Sequence, residues 1–336
     1  MNFQQRINAF VKLGNFLLEI SNENHPKLQE AYHHNNWFTP ENSQLSLSSW
    51  VDQLTQTNLT KWLSQYSINT IAPKNVAIIM AGNIPLVGFH DLICVLVSGN
   101  NAIVKLSDDD KILPNFLIDE LIKIEPEFKN YIHISDGRLP KDFDAVIATG
   151  SNNTFRYFEY YFRNKPSLLR KNRSSVAILT GHETPEEMNK LGNDIFLYFG
   201  LGCRNVSKIF VPNDYDLATF FEGIESWNSI TQHHKYANNY HYHKSIFLLN
   251  IAPHLDNNFV IVKEDQSISS PLGVLFFERY DSLPKVFETL HQHQDEIQCV
   301  VCKTKVGNSV AFGNAQSPRL WDYADGEDTM KFLLNL

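Results

Sequence analysis

Cys203 is the residue of this chain whose position best suits nucleophilic chemistry. It follows Gly200-Leu201-Gly202, between a segment with an apolar helical stripe and a short strand-like run. A cysteine on a glycine-flanked turn presents its sulfur to a substrate, and a neighbouring backbone N–H can stabilise a developing oxyanion. The adjacent Arg204 would favour the thiolate if its guanidinium group turned towards the sulfur. The competing interpretation is a small buried apolar residue, because most lone cysteines have that role.

The other thiols and a histidine cluster are weaker candidates. Cys299 and Cys302 have the C-x-x-C spacing of redox and zinc motifs, but a surrounding strand pattern would direct their side chains to opposite faces. Cys94 lies in an apolar helical run and is predicted to be part of the core. Four histidines are interspersed with Asn and Tyr without helical ligand spacing: His233, His234, His241 and His243. We expect a solvated or substrate-edge loop there, and no metal site.

Composition is typical of a soluble protein of about two domains, at roughly 150 residues a domain. The 336 residues are 43% hydrophobic, and 29 basic against 37 acidic residues leave a net charge of −8. This balance argues against a nucleic-acid partner and fits a soluble enzyme. Residues 1–19 contain no signal-peptide core, and the longest apolar stretch, 84–97, is too short to span a bilayer. These features predict a cytoplasmic protein without a membrane span.

The elements that would position these residues alternate between strands and helices after residue 73. Before it, residues 1–72 are predicted to be largely helical, with Leu18 on the apolar face of the first helix and a polar segment, 21–46, wrapping a surface. Strands are then predicted at 76–80, 102–105, 131–134 and 145–148, with helices at 86–98 and 111–124. The region 73–178 is therefore predicted to be doubly wound, a class that binds ligands at the carboxyl ends of its strands.

The second half of the chain repeats this alternation. Thr184-Pro185-Glu186-Glu187 fits a capping box that opens a helix. The predicted strands are 176–179, 208–211, 245–249, 259–262, 274–277 and 299–303, with a helix near 283–291. There is no G-x-G-x-x-G and no P-loop, so neither a conventional dinucleotide fingerprint nor an ATPase is supported.

Four segments, in this order along the chain, resemble the aldehyde dehydrogenase superfamily. They are Ala81-Gly82-Asn83-Ile84-Pro85, Asn101-Ala102-Ile103-Val104-Lys105, Ala148-Thr149-Gly150-Ser151 and Gly200-Leu201-Gly202-Cys203. The resemblance implies that Cys203 is the nucleophile and that the Asn83 side chain belongs to the oxyanion hole. It also implies an α/β fold, with a doubly wound cofactor domain and an α/β catalytic domain.

Within that superfamily the chain is similar to acyl-CoA reductases of the LuxC type. This likeness rests on the short spacing between strand 176–179 and Cys203, on the segment 315–326, and on the overall length. The implied domains are a helical segment with the dinucleotide-binding domain (1–178), a catalytic domain (179–311) and a tail (312–336). The tail would return to the cofactor domain or form an oligomer contact.

The resemblance also implies a nicotinamide cofactor. Lys105 would contact its adenosine ribose, and its nicotinamide end would lie over the turn Thr149-Gly150-Ser151. The family favours NADPH. However, Asp108 lies three residues beyond Lys105, where a carboxylate can bind the ribose 2′-OH and repel a 2′-phosphate, so NADH stays open.

Two departures from the superfamily pattern bear on the reaction. Ile178 stands where a glutamate usually activates water, and a second family carboxylate near Ser270–Gly273 is missing. Without general-base assistance, worth about 10²–10⁴-fold, hydrolysis of an acyl-enzyme should be slow. Glu183 is close in sequence and is either a substitute base or polar support at a helix N-terminus.

The resulting hypothesis is reduction of an acyl-CoA to an aldehyde, and the expected acyl group is a fatty acyl group. The alternatives are an aldehyde dehydrogenase that forms the acid and a non-catalytic acyl-binding protein of the same fold. The resemblance further implies an acyl transferase or acyl-activating ligase as a partner, and a homo-oligomer.

Overall fold

The chain folds into two units in this computed structural model, which describes residues 1–21, 25–68, 72–135, 137, 142–304, 307 and 309–336. Unit 1 comprises Met1–Asn172 and Arg319–Leu336, and unit 2 comprises Arg173–Pro318. Whether they correspond to the functional domains 1–178, 179–311 and 312–336 stays a prediction.

Eleven strands and twelve α-helices are assigned within the described residues. The strands are β1 (Asn75–Ile79), β2 (Asn101–Lys105), β3 (Ile132–Ile134), β4 (Ala145–Thr149), β5 (Ser167–Arg170), β6 (Ser174–Ile178), β7 (Val206–Pro212), β8 (Leu255–Asp256), β9 (Ile261–Glu264), β10 (Val274–Tyr280) and β11 (Ile297–Cys302). The helices are α1 (Phe3–Ser21), α2 (Pro26–His34), α3 (Pro40–Gln53), α4 (Gln56–Leu63), α5 (Phe89–Ser98), α6 (Ile112–Ile124), α7 (Asn152–Phe162), α8 (Pro185–Phe196), α9 (Leu217–Gly223), α10 (His234–Leu249), α11 (Leu283–Gln292) and α12 (Thr329–Leu334).

Unit 1 is built on a five-stranded parallel sheet in the order β3-β2-β1-β4-β5. The prediction of a doubly wound sheet is confirmed, because β1 pairs in parallel with β2 on one side and with β4 on the other. Gly99 ends α5 with a φ of 92°, as its position after an apolar run predicts. The sequence analysis missed β5, whose four residues, Ser-Leu-Leu-Arg, carry too short a pattern.

The N-terminal region is largely helical, as predicted, and its polar segment 21–46 contains α2 and half of α3; each of these helices has proline in its first turn, and the Thr39 side chain caps α3. The prediction that Leu18 lies on the apolar face of α1 is wrong. Leu18 is 52% exposed, although Leu17 is fully buried. Each residue turns the helix by about 100°, so the core-facing stripe includes Leu13 and Leu17 but leaves Leu18 at its edge.

Both ends of the chain contribute to the core of unit 1. Met330 and Leu333 of α12 are buried in the same apolar cluster as Phe10 and Leu17 of α1. Trp62 donates a hydrogen bond of 2.6 Å to the hydroxyl of Tyr323. The residues after 318 therefore pack against elements from the start of the chain.

A buried ion pair holds α12 to the sheet of unit 1. Arg170 on β5 lies 2.7 Å from the carboxylate of Asp91 and donates a second hydrogen bond of 2.8 Å to Thr329. Because an unpaired buried charge is costly, loss of either partner should destabilise this end of the unit.

Unit 2 contains a six-stranded sheet in the order β11-β6-β7-β10-β9-β8, parallel except at the β8–β9 pair. Strand β6 therefore belongs to this sheet, although residues 176–178 fall within the region 73–178 that the sequence predicts to be doubly wound. A short apolar run predicts a strand but does not specify which sheet it joins.

The predicted strand 245–249 is wrong, since these residues form the last turns of α10. His233 caps the N-terminus of the helix, its ring accepting a hydrogen bond from the Tyr236 N–H, and no glycine or proline interrupts the sixteen residues of α10. An apolar run of four to five residues does not distinguish a strand from a helix end.

No helix in the described part of the chain is long and apolar enough to cross a bilayer.

Candidate active site

Most of the predicted cofactor residues lie at one edge of the unit 1 sheet. Parallel strands end at the same edge, so the loops that follow β1, β2 and β4 are neighbours. These loops carry Asn83, Lys105, Asp108 and the turn Thr149-Gly150-Ser151. The chain reverses its strand order between β1 and β4, which is where open parallel sheets bind ligands.

The loops after β1 and β2 pack tightly against each other. A Cβ atom on Gly82 would lie 2.6 Å from the Ser107 Cβ, so this position accepts only glycine. Asn83, the next residue, is exposed, Lys105 is half-buried, and Asp108 is exposed. The side chains of all three residues therefore reach the surface at the carboxyl edge.

A buried carboxylate holds the loop that carries Asn83. Asp110 accepts a hydrogen bond of 2.7 Å from the Leu86 N–H, and Leu86 has a left-handed φ of 60°. Burial raises the pKa of Asp110 to about 7, against the opposing effect of that hydrogen bond. Its Oδ1 atom is buried and has no hydrogen-bond partner among the described residues. The sequence analysis missed this residue.

The turn after β4 opens helix α7. The Ser151 hydroxyl accepts a hydrogen bond of 3.3 Å from the Thr154 N–H and so caps the helix. A Cβ on Gly150 would come within 2.9 Å of the Phe158 ring, which keeps the backbone close to the helix. The first N–H groups of α7 therefore follow directly on the β4 edge, where they favour an anion.

The residues at this edge fit a nicotinamide dinucleotide. A helix N-terminus suits a pyrophosphate, and Lys105 supplies a positive charge. The fit rests on the chemistry of these residues and not on a sequence motif, since the conventional three-glycine fingerprint is missing.

Cys203 lies in unit 2, on the turn that joins the end of α8 to β7. The chain enters this turn through three residues with left-handed backbone, Tyr198 (φ 53°), Phe199 (φ 59°) and Gly200 (φ 79°). Residues other than glycine rarely adopt this conformation, and such strain clusters at functional sites. The half-buried Cys203 therefore closely follows three consecutive residues with left-handed backbone.

Two side chains that the sequence analysis missed hold this turn. The amide of Asn205 bonds to Gly202 and to the end of α8. Ser175 on β6, completely buried, donates a hydrogen bond of 3.1 Å to the Cys203 carbonyl. Ser175 is 28 residues from Cys203 in the chain, so no local pattern could reveal this contact.

The remaining cysteines are buried. Cys94 is fully enclosed in α5, which confirms its predicted core position, and burial raises its pKa well above the usual value. Cys299 and Cys302 are 8% and 6% exposed on β11. Burial raises the pKa of Cys299, and the Arg204 charge opposes that increase. The guanidinium of Arg204 is therefore close enough to influence Cys299.

The four histidines do not form the predicted loop. His234, His241 and His243 lie on α10, and His233 immediately precedes it, with its ring centroid 4.2 Å from that of Phe199. Within the described ranges, no group of three or more His, Cys, Asp or Glu residues could hold a metal ion.

Comparison with known proteins identifies the family. A family model described as acyl-CoA reductase (LuxC) matches residues 15–222, which is more than half of the chain. The chain belongs to the LuxC family. Its matched region includes both the loops at the carboxyl edge of the unit 1 sheet and Cys203.

Curated LuxC-type relatives are distant and longer. The long-chain acyl-protein thioester reductase 2 of Photobacterium leiognathi is 21% identical over 182 residues, covering 49% of this chain and 38% of its own length. The long-chain acyl-protein thioester reductase of Aliivibrio fischeri is 24% identical over 186 residues, covering 50% and 38%. The match thus spans about two fifths of these relatives.

Solved structures show the fold of this LuxC-family chain. Aldehyde dehydrogenase 21 from Physcomitrella patens has a TM-score of 0.72 at 13% identity, over 100% of this chain and 84% of that one. The aldehyde dehydrogenase KauB from Pseudomonas aeruginosa has a TM-score of 0.67 at 14% identity, over 91% and 73%. The α/β fold is therefore that of the aldehyde dehydrogenases.

Two residues that bear on water activation, Ile178 and Glu183, lie in unit 2 of this LuxC-family chain. Ile178 is buried at the end of β6, where it packs in an apolar cluster. The nearby Glu183 carboxylate accepts hydrogen bonds of 2.7 and 3.0 Å from the Thr180 and Gly181 N–H groups, and one of 2.7 Å from the Thr180 hydroxyl. In this arrangement Glu183 supports its own loop.

Proposed function

We propose that this chain reduces an acyl thioester to an aldehyde, with NAD(P)H as the reductant and an acyl-enzyme on Cys203. The observation that supports this most directly is the strained turn that carries the half-buried Cys203 and whose backbone is held by Ser175 and Asn205. Membership of the LuxC family supplies the reaction class. The acyl donor would be acyl-CoA or, following the names of the curated relatives, an acyl group carried on a protein.

In the first step, the Cys203 thiolate attacks the carbonyl carbon of the thioester. The C–S bond to coenzyme A then breaks, and its thiolate leaves with the electron pair. This exchange divides one difficult reaction into two easier ones. The Cys203 N–H and the Asn83 side-chain amide are our proposed donors to the oxyanion, which is stabilised by such preorganised groups.

When bound, the nicotinamide cofactor supplies the hydride that adds to the acyl carbon. The C–S bond to Cys203 then breaks, which releases the aldehyde and restores the Cys203 thiolate. Lys105 would bind the adenosine ribose, and the turn Thr149-Gly150-Ser151 would support the nicotinamide end. The family resemblance favours NADPH, whereas the exposed carboxylate of Asp108 suits the ribose 2′-OH of NADH. Both cofactors therefore enter the proposal.

Hydrolysis of the acyl-enzyme would compete poorly with reduction. The position of the usual base is occupied by buried Ile178, and both oxygens of Glu183 already accept hydrogen bonds from its loop. Neither Ile178 nor the engaged Glu183 is placed to act as a general base for water, whose help is worth about 10²–10⁴-fold. This argument favours the aldehyde over the acid as product.

Beyond the reaction itself, we propose a cytoplasmic location, a homo-oligomer, and an acyl transferase or acyl-activating ligase as the source of the acyl group.

Mass spectrometry after treatment with acyl-CoA, in the absence of cofactor, tests the acyl-enzyme. One acyl group per chain should appear on the peptide that contains Cys203. The adduct and the NADPH-dependent release of aldehyde should both vanish in Cys203→Ala, while Cys302→Ala, which changes a buried thiol on β11, should keep them.

An adduct on another residue would refute the role of Cys203. Absence of any adduct, together with rapid oxidation of aldehyde to acid, would instead show an aldehyde dehydrogenase. If the protein forms no acyl adduct, releases no aldehyde from acyl-CoA and oxidises no aldehyde, an acyl-binding protein would be favoured.

A further inference from the structure

We propose that Asn205 is a positioning residue that holds Cys203 in the geometry needed for attack on a thioester. This inference rests on the proposed function, in which Cys203 is the nucleophile. Asn205 is only 4% exposed and does not need to touch the substrate for this role.

The Asn205 amide makes four contacts at hydrogen-bond distance within unit 2, and its two Nδ2 hydrogens are shared among three carbonyls. Its Nδ2 group donates to the carbonyls of Asp194, Ile195 and Leu197, at 3.2, 3.1 and 2.9 Å. Its Oδ1 atom accepts a hydrogen bond of 2.8 Å from the Gly202 N–H. One planar amide therefore joins the end of α8 to the turn that carries Cys203.

The backbone closes the same turn. The Asn205 N–H donates a hydrogen bond of 3.0 Å to the Gly202 carbonyl, so Cys203 and Arg204 are the two central residues of a four-residue turn. Gly202 is thus bonded to Asn205 through both its N–H and its carbonyl group. The position of the Cys203 N–H, our proposed oxyanion donor, depends directly on this closure.

The strained stretch before the turn explains why the hydrogen bonds of Asn205 are needed. Tyr198 and Phe199 have left-handed backbone, a conformation that is unfavourable for residues other than glycine. The Asn205 amide binds the carbonyl of Leu197, immediately before this stretch, and the N–H of Gly202, three residues after Phe199. Without the amide, the stretch could relax and carry the turn with it.

A role limited to helix capping predicts a different outcome. The three carbonyls bound by Nδ2 are at the end of α8, where the helix leaves carbonyl groups without internal partners. If Asn205 only satisfied them, its loss would lower stability but leave the reactivity of Cys203 unchanged. The contact with Gly202 predicts changed reactivity as well.

The test compares two rates at Cys203 in the full chain, at a temperature where each variant is folded. Alkylation by iodoacetamide, followed on the Cys203 peptide, reports access to the thiol. Acylation by acyl-CoA without cofactor reports attack geometry. In Asn205→Ala we expect alkylation to rise at least about threefold and acylation to fall by roughly 10- to 100-fold, because small displacements of reacting groups are this costly.

A charge-changing variant gives a signature that a loss of stability cannot produce. Asn205→Asp keeps an acceptor for the Gly202 N–H but turns an oxygen towards the three carbonyls. Burial beside those oxygens should raise the pKa of the new carboxyl group, and its protonated form can donate one hydrogen bond. The ratio of variant to wild-type acylation rates should therefore rise as the pH falls from about 8 to about 6.

Asn100→Ala is the matched control. Asn100 is a buried asparagine of unit 1, 7% exposed, whose amide accepts from Lys74 and donates to Ser98 and Leu333. Its substitution should lower the melting temperature without altering either rate at Cys203.

The two proposals fail in different ways. If the wild type is not acylated on Cys203, the proposed function is wrong, and the alkylation rates alone then decide the role of Asn205. Wild-type alkylation and acylation rates in folded Asn205→Ala would overturn the positioning role, whatever the melting temperature. If Asn205→Ala does not fold, a pH-independent rate ratio in Asn205→Asp would overturn it.

Discussion

At the scale of single residues, burial brings the pKa values of two aspartates close to neutral pH. Asp110 and Asp194 are 3% and 0% exposed, and burial raises their pKa values to about 7 and about 6. Asp194 accepts hydrogen bonds from the N–H groups of Gly313 and Ala315, whereas Asp110 has the single donor Leu86. Neither property is visible in the local sequence.

Asp110→Asn should change how the free energy of unfolding depends on pH. The folded-state pKa of about 7 exceeds the ordinary value of 3.8, so the folded protein keeps the proton longer than the unfolded chain does. The stabilisation that protonated Asp110 contributes is complete below about pH 4 and is lost as the pH rises to about 7. The free energy of unfolding then falls by up to about 1.4 kcal/mol per pH unit.

Urea unfolding at several pH values measures this effect. The wild-type minus variant difference should fall between about pH 4 and 7 and then stay constant. Asp109→Asn, at the exposed neighbouring position, is the control. An equal difference at both ends of that range would contradict the assignment.

Asp108→Asn should shift the cofactor preference towards NADPH. The exposed carboxylate of Asp108 would repel a 2′-phosphate, so removal of its charge should raise the ratio of kcat/KM for NADPH to that for NADH by roughly tenfold. Steady-state kinetics with both cofactors measures the ratio. No change, as expected for Asp109→Asn, would show that Asp108 does not face the ribose.

At the scale of elements, close packing can outweigh helix propensity. Gly14 lies inside α1, although glycine costs ~1 kcal/mol relative to alanine in a helix. A Cβ at this position would lie 2.8 Å from the Leu54 carbonyl oxygen and 2.9 Å from the Leu54 Cβ. The glycine therefore permits the chain after α3 to approach the helix.

Gly14→Ala should accordingly lower the free energy of unfolding by about 1–3 kcal/mol, because the cost of overpacking against Leu54 exceeds the gain in helix propensity. The neighbouring Asn15 is exposed, so Asn15→Ala should be neutral or stabilising. Urea unfolding midpoints of the two variants give the comparison. A stabilised Gly14→Ala would mean that Leu54 moves aside without cost.

At the scale of the whole molecule, the two units have separate cores, and unit 1 uses both ends of the chain. Residues from α1 and α12 share one apolar cluster, while β6 and α11 contribute to another in unit 2. The last residues of the chain are therefore structural elements of the first unit.

Met330→Ala should show this division. Met330 is fully buried, and truncation of such a side chain costs about 2–5 kcal/mol. Hydrogen exchange should accelerate more in β1 of unit 1 than in β7 of unit 2. Lys331→Ala, at the exposed next position, is the control. Equal acceleration in both strands would contradict the division into two cores.

The sequence by itself determined the features that depend on near neighbours. The β1-α5-β2 succession, the Gly99 helix end and the capping box at Thr184 and Glu187 were all predictable, because caps and periodic burial are local. The turn that carries Cys203 was predictable for the same reason.

The tertiary structure alone decided features that depend on residues far apart in the chain. It assigned β6 to the second sheet, made 245–249 part of a helix, and gave Gly14 its contact with Leu54. It also brought Ser175 to the carbonyl of Cys203. A strand pattern or an apolar run indicates that a segment is buried, but it does not indicate which other segment it packs against. That packing partner determines the sheet that β6 joins and the approach of Leu54 to Gly14.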